Sequence, residues 1–134
     1  MNKDAIKISP DFPTLHNNLG NAFKSLGQLK DALISYENAL KHNPDYAEAH
    51  NSIGLIFFEQ KHYEKAIKSY QKAINFDQNF ANAHNNLGVV FNKIGQQDDA
   101  IHSYENALSI RPDYTDVLNN LGVTPIHRKT FAPI

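Results

Sequence analysis

The chain has 134 residues, of which 41% are hydrophobic and 20% are charged. This is the composition of a folded domain and not of a disordered chain. Its 13 Lys and Arg residues nearly balance its 14 Asp and Glu residues, which gives a formal net charge of −1 and no electrostatic attraction to nucleic acid or to an anionic membrane. The lack of cysteine excludes disulfides and thiolate metal sites but leaves the compartment open.

One pattern recurs three times along the chain at a spacing of 34 residues. Each copy has an aliphatic residue and a glycine, an aromatic residue, and then an alanine four positions before a tyrosine. The first copy contains Leu19, Gly20, Phe23, Ala32 and Tyr36. A fixed period of this length is the signature of helix–turn–helix repeats, which stack because no single hairpin can bury its apolar stripe. The sequence therefore predicts an all-α fold of tandem hairpins.

The first segment, residues 1–12, resembles the end of the repeat that follows it. A Pro-Asp-aromatic sequence closes both this segment, at residues 10–12, and the next repeat, at residues 44–46. We therefore expect residues 1–12 to be the C-terminal end of a preceding partial repeat, cut from a longer array.

The first complete repeat covers residues 13–46. Its apolar residues recur at helical spacing, which predicts a first helix over residues 14–25 and a second over residues 29–42. Gly27 can adopt the left-handed conformation that a helix end favours. Pro44 ends the second helix, since the residue before a proline is pushed out of the helical region.

The second and third repeats, residues 47–80 and 81–114, follow the same pattern. The second repeat departs from it in two turns, where Lys61 replaces a glycine and Gln78 replaces a proline. Because both changes lie outside the helices, we expect the fold to survive, with a less well-defined end to the second helix of this repeat.

The pattern starts again at residues 115–123 and then fails. Pro125 stands where the earlier repeats have an aromatic residue, and a proline there ends a helix. We expect residues 115–123 to be the truncated first helix of a fourth repeat and residues 124–134 to be an irregular tail. This tail is interpreted as a makeshift cap over the last hairpin, with an unrelated end or an arm that reaches a neighbour as the alternatives.

Small residues are predicted to set the distance between the two helices of a hairpin. The glycines of the pattern are placed where the helices cross, and we expect the alanines to face them, because small residues let two helices approach closely. The phenylalanines and tyrosines of the pattern are then expected to fill the space between neighbouring hairpins. These predictions concern Gly20, Gly54, Gly88, Ala32, Ala66, Ala100, Phe23, Phe57, Phe91, Tyr36, Tyr70 and Tyr104.

These residues resemble those of the tetratricopeptide repeat family, and the resemblance covers residues 1–122. It implies an α-solenoid, in which hairpins with a period of 34 stack into a right-handed superhelix and the first helices line its concave groove. His16, His50 and His84 stand at the position where the family usually has tryptophan. The recurring Asn-Asn-Leu-Gly sequence is also similar to the superhelical arm of O-linked N-acetylglucosamine transferases.

The sequence offers no catalytic constellation and no cofactor site. Histidines that recur once per repeat are separated by about 8–10 Å, too far apart for Zn–N bonds of about 2.0–2.1 Å. We interpret them as half-buried packing residues. The glycines follow the repeat and not a phosphate-binding loop, and no serine stands in a nucleophile elbow.

The family resemblance implies which side chains face the groove. They are Asn17, Asn18, Asn21, Lys24, Glu48, Asn51, Ser52, Leu55, Phe58, Asn82, Asn85, Asn86, Val89, Asn92, Asn119 and Asn120. A row of asparagines, each with a donor and an acceptor, suits the backbone of an extended peptide, and Leu55, Phe58 and Val89 are expected to form an exposed apolar spot beside it.

The subtype of this family that clamps a C-terminal carboxylate needs lysines and an arginine at set groove positions. Asn17 and Asn82 occupy two of the lysine places and Asn86 occupies the arginine place. The sequence therefore argues against a carboxylate clamp.

Three functional hypotheses follow. The first is a non-catalytic scaffold with a protein or peptide partner, in which changing Asn51, Asn85 and Asn86 to alanine weakens binding without unfolding the chain. The second is a homo-oligomer formed through uncapped array ends or exchanged terminal helices. The third is the recognition arm of a larger enzyme such as a glycosyltransferase. The self-association candidates are Ile6, Ile8, Leu118 and Leu121.

Overall fold

In the computed structural model, which describes residues 11–122, the regular structure is entirely helical. The helices are α1 (Phe12–Ser25), α2 (Leu29–His42), α3 (Ala47–Glu59), α4 (Tyr63–Phe76), α5 (Ala81–Lys93), α6 (Gln97–Ile110) and α7 (Thr115–Gly122). The expectations for residues 1–10 and 123–134, including Ile6, Ile8, Pro125 and the tail, lie outside the described range.

The predicted helices over residues 14–25 and 29–42 are both observed, and the first of them starts earlier, at Phe12. Asp11 caps it. The Asp11 carboxylate accepts hydrogen bonds from the Thr14 backbone N–H at 3.1 Å and from the Thr14 hydroxyl at 2.6 Å. These two bonds, the hydroxyl bond foremost, lower the pKa of Asp11 from its ordinary value.

The helices pair into hairpins that stack in a row. The α1–α2, α3–α4 and α5–α6 pairs have the most extensive contacts, and α2–α3, α4–α5 and α6–α7 join one hairpin to the next. The first helices α1, α3 and α5 also contact one another directly. The predicted all-α solenoid is therefore confirmed, and its first helices form one continuous face.

A tyrosine ring lies against a glycine inside each hairpin. A Cβ atom built on Gly20 would lie 2.5 Å from Cε1 of Tyr36, and Gly54 and Gly88 have the same relation to Tyr70 and Tyr104. The group nearest to each glycine is thus the tyrosine ring of the second helix. Only glycine leaves room for it.

The alanines and tyrosines of the second helices pack together against the next hairpin. Ala32 and Tyr36 form one cluster with Ile53 and Ile56 of α3, and Ala66 and Tyr70 form the equivalent cluster with α5. Phe57 packs against both clusters, as predicted for the aromatic residues. Burial raises the pKa of Tyr104 to about 12, so these tyrosines stay neutral over the ordinary pH range.

The first helices α1, α3 and α5 end in the same hydrogen-bonded turn. The backbone N–H of Gln28 donates to the carbonyl of Phe23 at 2.9 Å, and the same bond recurs at the ends of α3 and α5. The turn needs a residue with positive φ, which is Gly27 at 77°, Gly95 at 84° and Lys61 at 64°. Lys61 is therefore held in a conformation that disfavours a side chain.

The end of α4 is as well defined as that of α2, although Gln78 replaces the proline. Asp77 is extended, with φ −146°, as Asn43 is with φ −148°. The Asp77 carboxylate accepts a hydrogen bond from the Asn79 backbone N–H at 3.1 Å, the same bond that Asn43 makes with Asp45. The expectation of a weaker end was wrong because this side-chain turn does not need the proline.

None of the helices within residues 11–122 is long and apolar enough to cross a membrane.

The positive φ of Lys61 generates a stability prediction. Lys61→Gly should raise the free energy of unfolding by about 0.5–1 kcal/mol, because relief of the left-handed conformation exceeds the extra entropy of glycine in the unfolded chain. Denaturant unfolding followed by helical circular dichroism measures this. The matched control, Gly95→Lys at the equivalent turn, should lower the free energy of unfolding by a similar amount. A Lys61→Gly protein no more stable than the wild type would contradict the prediction.

Candidate functional site

All of the predicted groove residues lie on first helices, four of them on α1, five on α3, five on α5 and two on α7. Since α1 contacts α3 and α3 contacts α5, these residues lie along one row of adjacent helices. We call the surface that the predicted residues form on α1, α3, α5 and α7 the groove.

Asparagines of neighbouring first helices are hydrogen-bonded to each other. The Asn86 Nδ2 donates to the Asn51 Oδ1 at 3.0 Å, and the Asn120 Nδ2 donates to the Asn85 Oδ1 at 3.1 Å. Both acceptors, Asn51 and Asn85, are buried at 8% exposure. These bonds stabilise the stacking of the first helices, a role that the sequence reading missed when it assigned the asparagines to a ligand.

The neighbouring helices α1 and α3 lack a counterpart of these asparagine bonds. Ser52 stands one period before Asn86 and two periods before Asn120, and its side chain is shorter than that of asparagine. Its expected acceptor by the same register is Asn17, whose Oδ1 is buried without a hydrogen-bond partner. Because position 52 is a serine, the buried Asn17 oxygen accepts no hydrogen bond, and this lowers the stability of the fold.

Further predicted groove residues have partners within the described chain. Asn21 accepts a hydrogen bond from the Tyr36 hydroxyl at 2.6 Å, and Asn82 accepts one from the Tyr114 hydroxyl at 2.6 Å. Lys24 forms an ion pair of 3.4 Å with Glu59 of α3. The polar side chains of the groove thus support the scaffold as well as facing solvent.

The predicted apolar spot is not an exposed patch. Leu55, Phe58 and Val89 are each partly buried, because Leu55 and Phe58 pack against the cluster around Tyr70 and Val89 packs against the cluster around Tyr104. The remaining groove positions, Asn18, Glu48 and Asn119, are exposed, and Asn92 is partly buried.

The two self-association candidates in α7 differ in burial. Leu118 is half exposed, but Leu121 is buried at 5% in a cluster with Tyr104 and Val117. The expectation that Leu121 lacks a neighbour was wrong, because α7 turns this side chain toward the preceding hairpin.

Two of the three recurring histidines, His50 and His84, contact the turns that precede their helices. The His50 Nε2 lies 2.9 Å from the Pro44 carbonyl oxygen, and the His84 Nε2 lies 3.2 Å from that of Gln78. The Nε2–H of each ring therefore donates to a backbone carbonyl. Within residues 11–122, no group of three or more His, Asp and Glu side chains is arranged to hold a metal ion.

The groove contains two open depressions. The first has a volume of about 480 Å³ and the second about 470 Å³. The first is lined by Tyr46, Ala47, Glu48, Asn51, Ser52, Asp77, Phe80 and Asn82. The second is lined by Asn51, Leu55, Asn82, Asn85, Asn86, Arg111, Tyr114 and Asp116.

The second depression repeats the first at a distance of one period. Asn82, Arg111 and Tyr114 stand 34 positions after Glu48, Asp77 and Phe80. The backbone frame of the two depressions is therefore the same, and the charged residues on it differ. The guanidinium of Arg111 lies over the Tyr114 ring, 4.1 Å from its centroid.

The unsatisfied Asn17 oxygen generates a second prediction. Ser52→Asn should place an amide N–H within reach of the Asn17 Oδ1 and raise the free energy of unfolding by about 1 kcal/mol, the net contribution of one hydrogen bond. The reverse exchange in the next repeat, Asn86→Ser, removes an existing bond and should lower stability by at least as much. Thermal unfolding of both variants tests this, and a destabilised Ser52→Asn protein would contradict it.

Comparisons with known proteins agree with this architecture. Tetratricopeptide repeat models match residues 20–61, 54–95 and 81–114. Among curated proteins, none matches the sequence significantly.

Several solved structures are similar in fold. A crystal structure of MamA is 26% identical with a TM-score of 0.77, and the match covers 96% of this chain and 73% of that one. The first tetratricopeptide repeat domain of Spaghetti (RPAP3), bound to the HSP90 peptide SRMEEVD, is 15% identical with a TM-score of 0.82 and coverage of 94% and 100%. The OM64 domain of Arabidopsis is 19% identical with a TM-score of 0.76 and coverage of 90% and 93%.

The repeat models together span residues 20–114, which is most of the chain. The helical hairpins and their stacking are those of the matched structures. The chain therefore belongs to the tetratricopeptide repeat family.

Proposed function

We propose that this protein is a non-catalytic scaffold that binds an extended segment of a partner protein in the groove. The observation that carries the proposal is the pair of equivalent depressions along α3 and α5. Two similar subsites one repeat apart suit a ligand that runs along the array. Their amide side chains offer donors and acceptors to the backbone of such a ligand.

The family and its structural neighbours support a role in protein interaction. One neighbour was solved with a peptide of HSP90 bound to it. That peptide, SRMEEVD, contains two glutamates and ends in an aspartate, so it is acidic at its C-terminus. In this chain, asparagines stand at the clamp positions 17, 82 and 86. We therefore propose a ligand of different chemistry.

The proposal is tested by selecting peptides from a random library on the wild-type protein. Ser52→Trp places a bulky ring in the first depression and should lower the affinity for selected peptides at least tenfold, since it fills space that the ligand needs. Ser109→Trp, on the exposed face of α6, is the matched control and should bind normally. Calorimetry gives the affinities and circular dichroism checks the fold.

The outcome that would contradict the groove is equal binding by both tryptophan variants, or no selection of peptides by the wild type. Changes at Asn51 and Asn85 are less suitable for this test. Both side chains are buried and hydrogen-bonded within the scaffold, so their truncation would change stability together with binding.

Self-association is a second candidate, favoured by the outer face of α1. Leu15 and Leu19 are 58% and 45% exposed, whereas Ala49 and Ile53, one period later, are 0% and 8% exposed. The later pair is covered by the preceding hairpin. The outer face of α1 is thus apolar at positions that are buried in the next repeat. A second copy of the chain could cover this face.

Sedimentation over a concentration series tests this candidate. The mass of the wild type should rise with concentration, and Leu15→Gln/Leu19→Gln should remain monomeric because the apolar contact is lost. Ile34→Gln, which changes an exposed isoleucine of α2, should behave as the wild type. A wild-type mass that stays monomeric at every concentration would rule out self-association.

A further inference from the structure

We infer that the first depression is a subsite for a cationic side chain, arginine or lysine, of the segment bound in the groove. This inference rests on the proposed function and adds the charge of the ligand to it. Glu48 and Asp77 contribute two carboxylates to the lining, and Tyr46 and Phe80 contribute two aromatic rings. The lining contains neither lysine nor arginine.

This combination of groups has a defined preference. Two carboxylates on one concave surface create a negative potential that attracts cations. An aromatic ring attracts a guanidinium or ammonium group placed over its face, and the arginine stem adds apolar contact. An acidic ligand would bring its charge close to both carboxylates, so the subsite disfavours it.

The second depression shows how a guanidinium fits this frame. Arg111 stands one period after Asp77, and its guanidinium lies 4.1 Å from the centroid of the Tyr114 ring. Tyr114 in turn stands one period after Phe80. At one end of the groove, therefore, the chain itself supplies a cation to the aromatic ring of the repeat.

In the first depression the same position carries the opposite charge. With Asp77 in place of Arg111, the chain supplies a carboxylate beside Phe80, and we infer that the ligand supplies the cation. The charges of the second depression are already balanced, because Arg111 and Asp116 both line it. The cation preference is thus confined to the first depression.

The two carboxylates can be neutralised without disturbing the fold. Glu48 is an exposed residue in the first turn of α3. Asp77 makes a turn with the Asn79 backbone N–H, and Asn43 makes the same turn one period earlier. Asp77→Asn therefore keeps this hydrogen bond and removes only the charge.

The experiment uses peptides selected on the wild-type protein. They should share one position occupied by arginine or lysine. Replacing that residue by citrulline, which has nearly the shape of arginine but no charge, should weaken binding by the wild type about tenfold. In Glu48→Gln/Asp77→Asn, the arginine and citrulline peptides should bind equally. Glu64→Gln/Asp99→Asn, which neutralises two exposed carboxylates of α4 and α6, should discriminate as the wild type does.

The possible results distinguish a failure of this inference from a failure of the proposal that the groove binds a peptide. Selected peptides without a shared cationic position would overturn the inference and leave peptide binding in place. If Glu48→Gln/Asp77→Asn still preferred arginine over citrulline as strongly as the wild type, the inference would also be overturned. The positive charge of the peptide would then be recognised by other groups of the protein. If the wild type selects no peptide, the groove proposal fails and the inference fails with it.

Discussion

The structure depends on the contact between a tyrosine ring and a glycine inside each hairpin. Because Gly54 has no side chain, the Tyr70 ring can lie against the backbone of α3. The same ring belongs to the cluster that joins this hairpin to the next one. A single residue thus controls the packing within a repeat and between repeats, and its recurrence gives every hairpin the same geometry.

This regularity gives the groove its properties. When hairpins stack in the same way, residues one period apart occupy equivalent places, and so two depressions with the same frame lie side by side. Some equivalent positions nevertheless carry different side chains in different repeats. Asp77 and Arg111 hold equivalent places with opposite charge, although α4 and α6 end in the same extended conformation. The ligand preference of each depression can therefore change without a change of fold.

The asparagines show that a groove residue can belong to the scaffold as well. A helix face rich in asparagine needs a reason, because asparagine is a poor helix former. From the sequence we assigned these asparagines to ligand binding. In the structure, Asn51 bonds to Asn86 and Asn85 bonds to Asn120, so the asparagines also have a role within the chain itself. These bonds hold neighbouring first helices in register, so they also determine the spacing that any extended ligand would meet.

The period of 34, the helices and the turns with Gly27 and Pro44 could be predicted because they depend on local spacing and on backbone preferences. The residues of the groove were predicted from family resemblance. Three things were decided only by the tertiary structure: the tyrosine that faces each glycine, the partner of each asparagine, and the grouping of Glu48 with Asp77 around one depression. Each is a relation between side chains on different helices. Such relations depend on the distance and angle at which helices pack, which the pattern of a single helix does not contain.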